Sequence, residues 1–202
     1  MKGLRVVVTY KCNFMCSNCR YSCTPYKKGA MDVQKFKREV YQAMDDGYNN
    51  YVIIDGGEYF ISGGLVFKYL KSIDKINIKK SIVTNANWGK KELFNYTLQS
   101  LKKYGIDEII IKYDYFHSPF TDIDTIKESI KKSIRMDFKV AICSTFESES
   151  INTPKDIYTY NFIKDINKNF SDIKFIFEST EAYKFPSLSH RYILKNEKVV
   201  LY

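Results

Sequence analysis

The chain has 202 residues, of which 45% are apolar and 27% charged, and it carries a net charge of +9. This mixture is typical of one globular domain with a full core. No apolar run approaches the ~18 residues of a membrane span, and the segment 1–8 is too short and too polar for a signal peptide, so we expect a cytoplasmic protein with no membrane partner.

The basic charge and the cysteines bear on possible partners. The lysines are spread over the whole chain, and no basic run or RNA-binding motif stands out, so nucleic acid is not an expected partner. Four of the five cysteines lie between Cys12 and Cys23, and Cys143 stands alone. A disulfide framework would spread its cysteines, whereas clustered thiols in a cytoplasmic chain indicate metal ligands or redox groups.

The predicted elements alternate between strands and helices along the chain. Strands are predicted at 4–9, 51–54, 81–84, 108–113, 138–143 and 173–177 from short β-branched and apolar runs. Helices are predicted at 32–46, 62–73, 90–104 and 122–136, with a fifth beginning at Thr153-Pro154. Six such units favour an α/β fold in which a parallel sheet wraps into a partial (β/α)6 barrel with its helices outside. We expect one domain, with a core over 1–178 and a tail over 179–202 that forms a hairpin.

Polar groups collect where the predicted strands end. In barrels of this kind the chemistry lies at the carboxyl ends of the strands, so this placement indicates an enzyme. The groups in question are the cysteine loop after the first strand, Gly56-Gly57-Glu58 after the second, Asn85 after the third, Asp114 and His117 after the fourth, and Ser144 after the fifth.

The cysteine loop has the pattern C-x3-C-x2-C, formed by Cys12, Cys16 and Cys19. Three thiolates this close together can hold three irons of one cubane cluster and leave the fourth iron open to a substrate. The alternative is a closed structural zinc site with Cys23 as its fourth ligand.

This loop resembles the cluster-binding motif of the radical S-adenosylmethionine (SAM) superfamily, which follows the first strand of a (β/α)6 partial barrel. Gly56-Gly57-Glu58 is similar to the family's Gly-Gly-Glu-Pro motif, which binds the SAM amino group. The resemblance covers about residues 4–178. Two positions depart from the family pattern: Asn18 stands where an aromatic residue near the SAM adenine is usual, and Tyr59 replaces the proline.

The resemblance implies a [4Fe–4S] cluster and SAM as cofactors. Reductive cleavage of SAM would give a 5′-deoxyadenosyl radical that removes a hydrogen atom from the substrate. The electron would come from an external donor such as a flavodoxin or ferredoxin. The cofactor supplies the difficult chemistry, and the protein orients it and excludes water.

Further site residues are predicted from their positions. Lys112 and Asp114 share one face of the fourth strand, and the apolar alternation points them into the barrel. Lys112 is a candidate for the SAM carboxylate, Asp114 or Ser144 for the ribose, and Asn85 for another SAM contact. The alternatives are a salt bridge for the charged residues and a turn for Asn85.

Two residues are candidates for a role in catalysis. His117 is one of only two histidines and is a candidate for positioning substrate or moving a proton. Cys143 is a candidate for donating a hydrogen atom to a product radical. A structural role is the alternative for each residue.

Three functions are left open. The first is a radical SAM enzyme acting on a peptide, a protein or another bulky substrate, because few residues beyond 177 are left to build a lid. The second is a radical SAM enzyme acting on a nucleotide or another small anionic substrate, which the basic charge favours. The third is a zinc-binding or electron-transfer module without SAM chemistry, which would not need Gly56-Gly57-Glu58.

Overall fold

A computed structural model describes residues 2–148, 150–179 and 197–200. Seven parallel strands form one sheet in the order β6-β5-β4-β3-β2-β1-β7, and it curves into a partial barrel. The strands are β1 Gly3–Val7, β2 Tyr51–Asp55, β3 Lys79–Thr84, β4 Glu108–Lys112, β5 Lys139–Phe146, β6 Lys174–Ser179 and β7 Glu197–Val200.

Helices connect the successive strands from β1 to β6. They are α1 Val33–Asp45, α2 Leu65–Ser72, α3 Phe94–Lys103, α4 Ile123–Arg135 and α5 Pro154–Asn169. The side chains of Asp32, Asp122 and Thr153 cap α1, α4 and α5 by accepting hydrogen bonds from backbone N–H groups of the first turn. None of the helices in the described part of the chain is long and apolar enough to cross a membrane.

The two faces of the sheet differ in composition because side chains alternate along each strand. The outer face and the helices bury the main core, which includes Leu4, Ile54, Ile82, Ile111 and Ile142. The inner face buries a smaller apolar cluster of Ile53, Val83, Ile110, Ala141, Cys143 and Ile176. Charged side chains also lie on this inner face, close to the candidate site.

The prediction of six parallel strands, with helices between them, is confirmed. Two bounds differ. Helix α3 begins at Phe94 rather than 90, because the preceding segment packs tightly on α4: a Cβ on Gly89 would lie 1.9 Å from the carbonyl oxygen of Thr125. Strand β5 continues to Phe146 because it pairs with β6 as far as Ser179.

The hairpin expected at the end of the chain lies only partly within the described residues and stays a prediction. Residues 180–196, which include one of its arms, lie outside the described residues. The other arm, β7, pairs in parallel with β1, with Gly3 opposite Glu197 and Val6 opposite Val200. It therefore extends the sheet beyond the six strands predicted.

Candidate active site

A cavity of about 450 Å³ lies at the carboxyl ends of the strands. Its wall combines the cysteine loop, the turn after β2 and the ends of β3 to β6. Most of the predicted site residues line it: Cys12, Cys16, Asn18, Cys19, Gly56, Gly57, Glu58, Asn85, Lys112 and His117. Asp114, Cys143 and Ser144 do not line it.

The cysteine loop is closed at its base by backbone pairing. Lys11 forms an isolated parallel bridge with Thr24. The N–H of Cys12 donates to the carbonyl of Thr24 at 3.1 Å, and the N–H of Thr24 donates to the carbonyl of Tyr10 at 3.1 Å. Because the two ends of the loop are joined, its thiols are confined to one short arc beside the cavity.

Backbone hydrogen bonds reach two of the three predicted ligand sulfurs. The N–H of Phe14 donates to Cys12 Sγ at 3.4 Å, and the N–H of Cys23 donates to Cys19 Sγ at 3.3 Å. Burial raises the pKa of Cys12 to about 12, whereas a hydrogen bond from the Cys23 side chain is the main cause that lowers the pKa of Cys19 to about 5. Such bonds stabilise thiolate, the form that ligates iron.

The Gly-Gly-Glu turn is laid directly against the base of this loop. The N–H of Gly57 donates to the carbonyl of Thr9 at 2.7 Å, and the N–H of Glu58 donates to the carbonyl of Lys11 at 2.9 Å. A Cβ on Gly56 would lie 2.4 Å from the Thr9 oxygen. The nearest described neighbours of both glycines are backbone atoms of Thr9 and Lys11, and their close approach to a ligand stays a prediction.

Glu58 is a buried carboxylate with one unused oxygen. Its side chain is 3% exposed, and Oε2 accepts hydrogen bonds from the Thr84 hydroxyl at 2.8 Å and the Asn85 N–H at 2.9 Å. Oε1 is buried and forms no hydrogen bond by geometry within the described residues, although the backbone N–H of Phe60 also interacts with the carboxyl and lowers its pKa. Burial raises the pKa of Glu58 to about 7. A buried acceptor without a partner is costly, so its position in a cavity wall fits a cationic donor from a ligand.

The residues present therefore fit the two cofactors that the motifs imply. Cys12, Cys16 and Cys19 share one wall and supply the soft thiolates that an iron–sulfur cluster takes. Glu58 lines the same cavity, and its Oε1 is the acceptor that would meet the SAM ammonium group. Within the described residues, no three Cys, His, Asp or Glu side chains meet closely enough to hold a single metal ion.

Asn85 contacts the cysteine loop. Its Nδ2 donates to Asn13 Oδ1 at 2.8 Å and to Cys12 Sγ at 3.7 Å. Its Oδ1 accepts from the N–H of Asn87 at 3.2 Å, so it also makes the turn that was the alternative interpretation. Asn13 was not among the predicted site residues, because the x positions of the motif carry no signal for this contact.

Asp114 lies behind the cavity wall, where it holds His117. The Asp114 carboxylate is 1% exposed and accepts hydrogen bonds from His117 Nδ1 at 2.7 Å and the Thr145 N–H at 3.0 Å. These bonds occupy the oxygens that were expected to meet the ribose. His117 lines the cavity and hydrogen-bonds Cys16. Burial lowers the pKa of His117, but the adjacent Asp114 carboxylate raises it to about 10.

Ser144 and Cys143 also lie away from the cavity wall. The Ser144 hydroxyl is fully buried and donates to the carbonyl of Tyr113 at 2.6 Å on the helix side of the sheet. The next residue, Thr145, lines the cavity instead. Cys143 faces the barrel interior but belongs to the inner apolar cluster, where burial raises the pKa of its thiol.

Ion pairs join charged side chains of the cavity wall, and the sequence predicted them only in part. Lys112 Nζ lies 3.3 Å from Glu178 Oε2, and Arg20 lies 3.7 Å from Glu178 Oε1. Burial by itself raises the pKa of Glu178, but the charges of Lys112 and Arg20 lower it to about 2. Arg5 pairs with Asp55, and both interact electrostatically with Lys112. A charge inside an apolar strand, such as Arg5, was the available signal for this network.

Comparison with curated proteins gives two kinds of relative, while no family model matches the chain. YydG of Bacillus subtilis, whose name assigns it to peptide biosynthesis, is 22% identical over 134 residues, which are 65% of this chain and 42% of YydG. The GTP 3′,8-cyclase of Campylobacter jejuni is 28% identical over 89% of this chain and 57% of the cyclase. The chain thus spans about half the length of these relatives.

Solved structures share the fold at low sequence identity. SuiB of Streptococcus suis, solved with S-adenosylmethionine bound, aligns with 98% of this chain and 58% of its own, at a TM-score of 0.51 and 16% identity. TsrM of Kitasatospora setae, a radical SAM methyltransferase solved with cobalamin and a [4Fe–4S] cluster, aligns with 88% of this chain and 37% of its own, at a TM-score of 0.60 and 10% identity. The chain shares the partial-barrel fold of these structures, and its cysteine loop and Gly-Gly-Glu turn resemble the motifs of the radical SAM superfamily.

Proposed function

We propose that the chain cleaves SAM reductively at a [4Fe–4S] cluster held by Cys12, Cys16 and Cys19, and that the resulting 5′-deoxyadenosyl radical removes a hydrogen atom from a peptide or protein. The observation that carries the proposal is that Glu58, a buried carboxylate whose Oε1 forms no hydrogen bond within the described residues, lines the same cavity as the three thiols. A zinc-binding or electron-transfer module would not need this acceptor.

The protein groups have separate tasks in this proposal. Glu58 holds the SAM ammonium, and its other oxygen is fixed by Thr84 and Asn85, so the acceptor cannot turn away. Lys112 lies in the wall and is the candidate for the SAM carboxylate, and Asn18 is the candidate nearest the adenine. His117 is held in place by Asp114 and is available to orient substrate at the wall.

A peptide substrate is supported by the name of YydG and by the charges around the cavity. Two basic side chains that line the cavity, Lys112 and Arg20, already contact Glu178. Their charge is therefore partly balanced, and this arrangement does not favour a triphosphate. The overall charge of +9 would still attract an acidic peptide segment over a distance.

A nucleotide is the second candidate substrate. The supporting observation is the GTP 3′,8-cyclase, which matches 89% of this chain at 28% identity. The two candidates differ in what should accelerate SAM cleavage. An external flavodoxin or ferredoxin would supply the electron in both cases.

The experiment is anaerobic reconstitution with iron and sulfide, reduction by dithionite, and measurement of 5′-deoxyadenosine. Slow, uncoupled cleavage is expected without substrate, with acceleration by a pool of acidic peptides but not by a matched basic pool or by GTP. The variant with Cys12, Cys16 and Cys19 all changed to Ala is the background control. Acceleration by GTP alone would replace the peptide with a nucleotide, and binding of one zinc without iron would overturn the whole proposal.

A further inference from the structure

The side chain of Asn85, directly after β3, reaches the base of the cysteine loop. Asn85 is 8% exposed and lines the cavity. Its Nδ2 donates to Cys12 Sγ at 3.7 Å and to Asn13 Oδ1 at 2.8 Å. A side-chain amide nitrogen carries two hydrogens, so it can serve both acceptors at once. A side chain from the third strand therefore contacts a predicted iron ligand that follows the first.

The orientation of this amide is fixed from its other end. Asn85 Oδ1 accepts a hydrogen bond from the N–H of Asn87 at 3.2 Å. An N–H donor pairs with the amide oxygen and not with the amide nitrogen, so Nδ2 has to face the cysteine loop. The turn that brings Asn87 round passes through the buried Ala86, whose N–H donates to the Thr84 hydroxyl at 3.0 Å. The turn therefore holds Nδ2 towards Cys12.

The backbone of Asn85 has a separate task. Its N–H donates to Glu58 Oε2 at 2.9 Å and so supports the carboxylate that is proposed to bind SAM. This bond does not depend on the Asn85 side chain. A substitution can therefore remove the donor to Cys12 and keep the support for Glu58, so the two tasks can be tested apart.

A donor to a ligand sulfur changes the redox balance of a cluster. Cys12 would ligate iron as a thiolate, which accepts hydrogen bonds and has no proton to donate. A neutral amide donor draws charge from that sulfur and favours the more negative, reduced state of the cluster. Loss of the donor should lower the reduction potential, and a negative group in its place should lower it further.

We propose that Asn85 is a positioning residue that acts through Cys12: its side-chain amide holds the Cys12 sulfur and raises the reduction potential of the cluster. This inference rests on the proposed cluster. Because both polar atoms of the amide are engaged by the protein, the side chain serves the cysteine loop and not the SAM contact expected from the sequence.

The test is an EPR-monitored measurement of the reduction potential, without SAM, of reconstituted wild type, Asn85→Ala, Asn85→Asp and Asn87→Ala, with iron counted in each. Asn85→Ala should lower the equilibrium constant for reduction about tenfold, which is about 59 mV for one electron. Asn85→Asp should lower it further, although it keeps the size of the side chain and an oxygen for the Asn87 N–H. Asn87→Ala keeps that N–H and should leave the potential unchanged.

The order of the two Asn85 variants separates the proposed role from a purely structural one. If Asn85 only shaped the turn, the isosteric Asn85→Asp would lie nearer the wild type than Asn85→Ala. That order, or a wild-type potential in both variants, would overturn the proposal. If Asn85→Ala loses its iron, Asn85→Asp decides alone, and an unchanged potential in it would also overturn the proposal.

SAM affinity gives a second and independent readout. Asn85→Ala should bind SAM about as tightly as wild type in equilibrium dialysis, because the backbone N–H to Glu58 remains. Lost SAM affinity at an unchanged potential would return the side chain to the SAM site and overturn the proposal. If wild type itself takes up no iron–sulfur cluster, the failure belongs to the proposed function and not to the role of Asn85.

Discussion

The backbone of Gly57 packs against Lys11 so closely that a Cβ on Gly57 would lie 2.0 Å from the Lys11 carbonyl oxygen. Lys11 directly precedes Cys12, so the turn after β2 and the cysteine loop fit together as one unit. Gly57→Ala must therefore displace the start of the loop. We expect about 1–3 kcal/mol of destabilisation and a clear loss of bound iron, measured by denaturant unfolding and iron assay.

Gly63→Ala is the matched control for Gly57→Ala. Gly63 has a positive φ, of +48°, which Gly57 does not, and nothing lies within 4 Å of its Cβ position. This variant should keep the wild-type iron content. Full iron in Gly57→Ala, together with lost SAM binding, would instead mean that the glycine serves the ligand, as the family motif alone suggests.

Glu58→Gln tests the binding of the SAM ammonium group. The glutamine keeps an oxygen for the Thr84 hydroxyl and the Asn85 N–H, but it loses the charge and can place an NH2 where Oε1 lies. A charge-assisted hydrogen bond is worth about 1.5–3 kcal/mol, so SAM affinity should fall about 10- to 100-fold with the iron content unchanged. Equilibrium dialysis of SAM against both reconstituted proteins measures this, and equal affinity would remove Glu58 from the SAM site.

The same pair of proteins gives a pH dependence of stability. Burial raises the pKa of Glu58 from 4.5 to about 7. A carboxyl whose pKa is raised in the folded state stabilises most below its unfolded pKa, and this contribution is lost as pH rises towards 7. Relative to Glu58→Gln, SAM-free wild type should therefore lose roughly 3 kcal/mol of unfolding free energy between pH 4.5 and 7. A constant difference across this range would contradict the protonated state of Glu58.

The order of the helices and strands can be predicted from the sequence because apolar periodicity and capping residues are local signals. Helix α1 shows this, with Asp32 predicted and observed as its N-cap. Side-chain direction at a strand end is harder to predict. A shift of one residue reverses the face, and Ser144 and Thr145 at the end of β5 illustrate it: the predicted Ser144 faces the helices, and Thr145 faces the cavity.

Long-range contacts account for the other differences. Nothing near Asp114 in the sequence shows that Thr145, from the next strand, donates to its carboxylate. The partner of Lys112 is likewise a residue 66 positions away, Glu178, at the end of β6. Parallel pairing of β4, β5 and β6 brings these groups together, and the register of those strands is set by the whole sheet.

Thr145→Val and Ser144→Ala test the assignment of the cavity wall. Thr145 lines the cavity, so removal of its hydroxyl should weaken SAM binding about 2- to 10-fold, the worth of one neutral hydrogen bond. Ser144→Ala should cost about 1 kcal/mol of stability through its lost bond to Tyr113 and leave SAM binding unchanged. The reverse pattern in dialysis would restore Ser144 as the ribose contact.

The ion pair between Lys112 and Glu178 should be coupled in stability. Their side chains are 22% and 15% exposed, so Glu178→Gln would leave a largely buried ammonium without its carboxylate. We expect a loss of about 2 kcal/mol in unfolding free energy, less than for a fully buried pair because some solvent reaches the site. Lys112→Met combined with Glu178→Gln should recover most of that loss, since the unpaired charge is then gone.

Glu128→Gln, which breaks the exposed pair with Lys131, should change stability by no more than about 0.5 kcal/mol. Additive effects of the two substitutions in denaturant unfolding would show that the pair contributes nothing, and would leave Lys112 available to the SAM carboxylate.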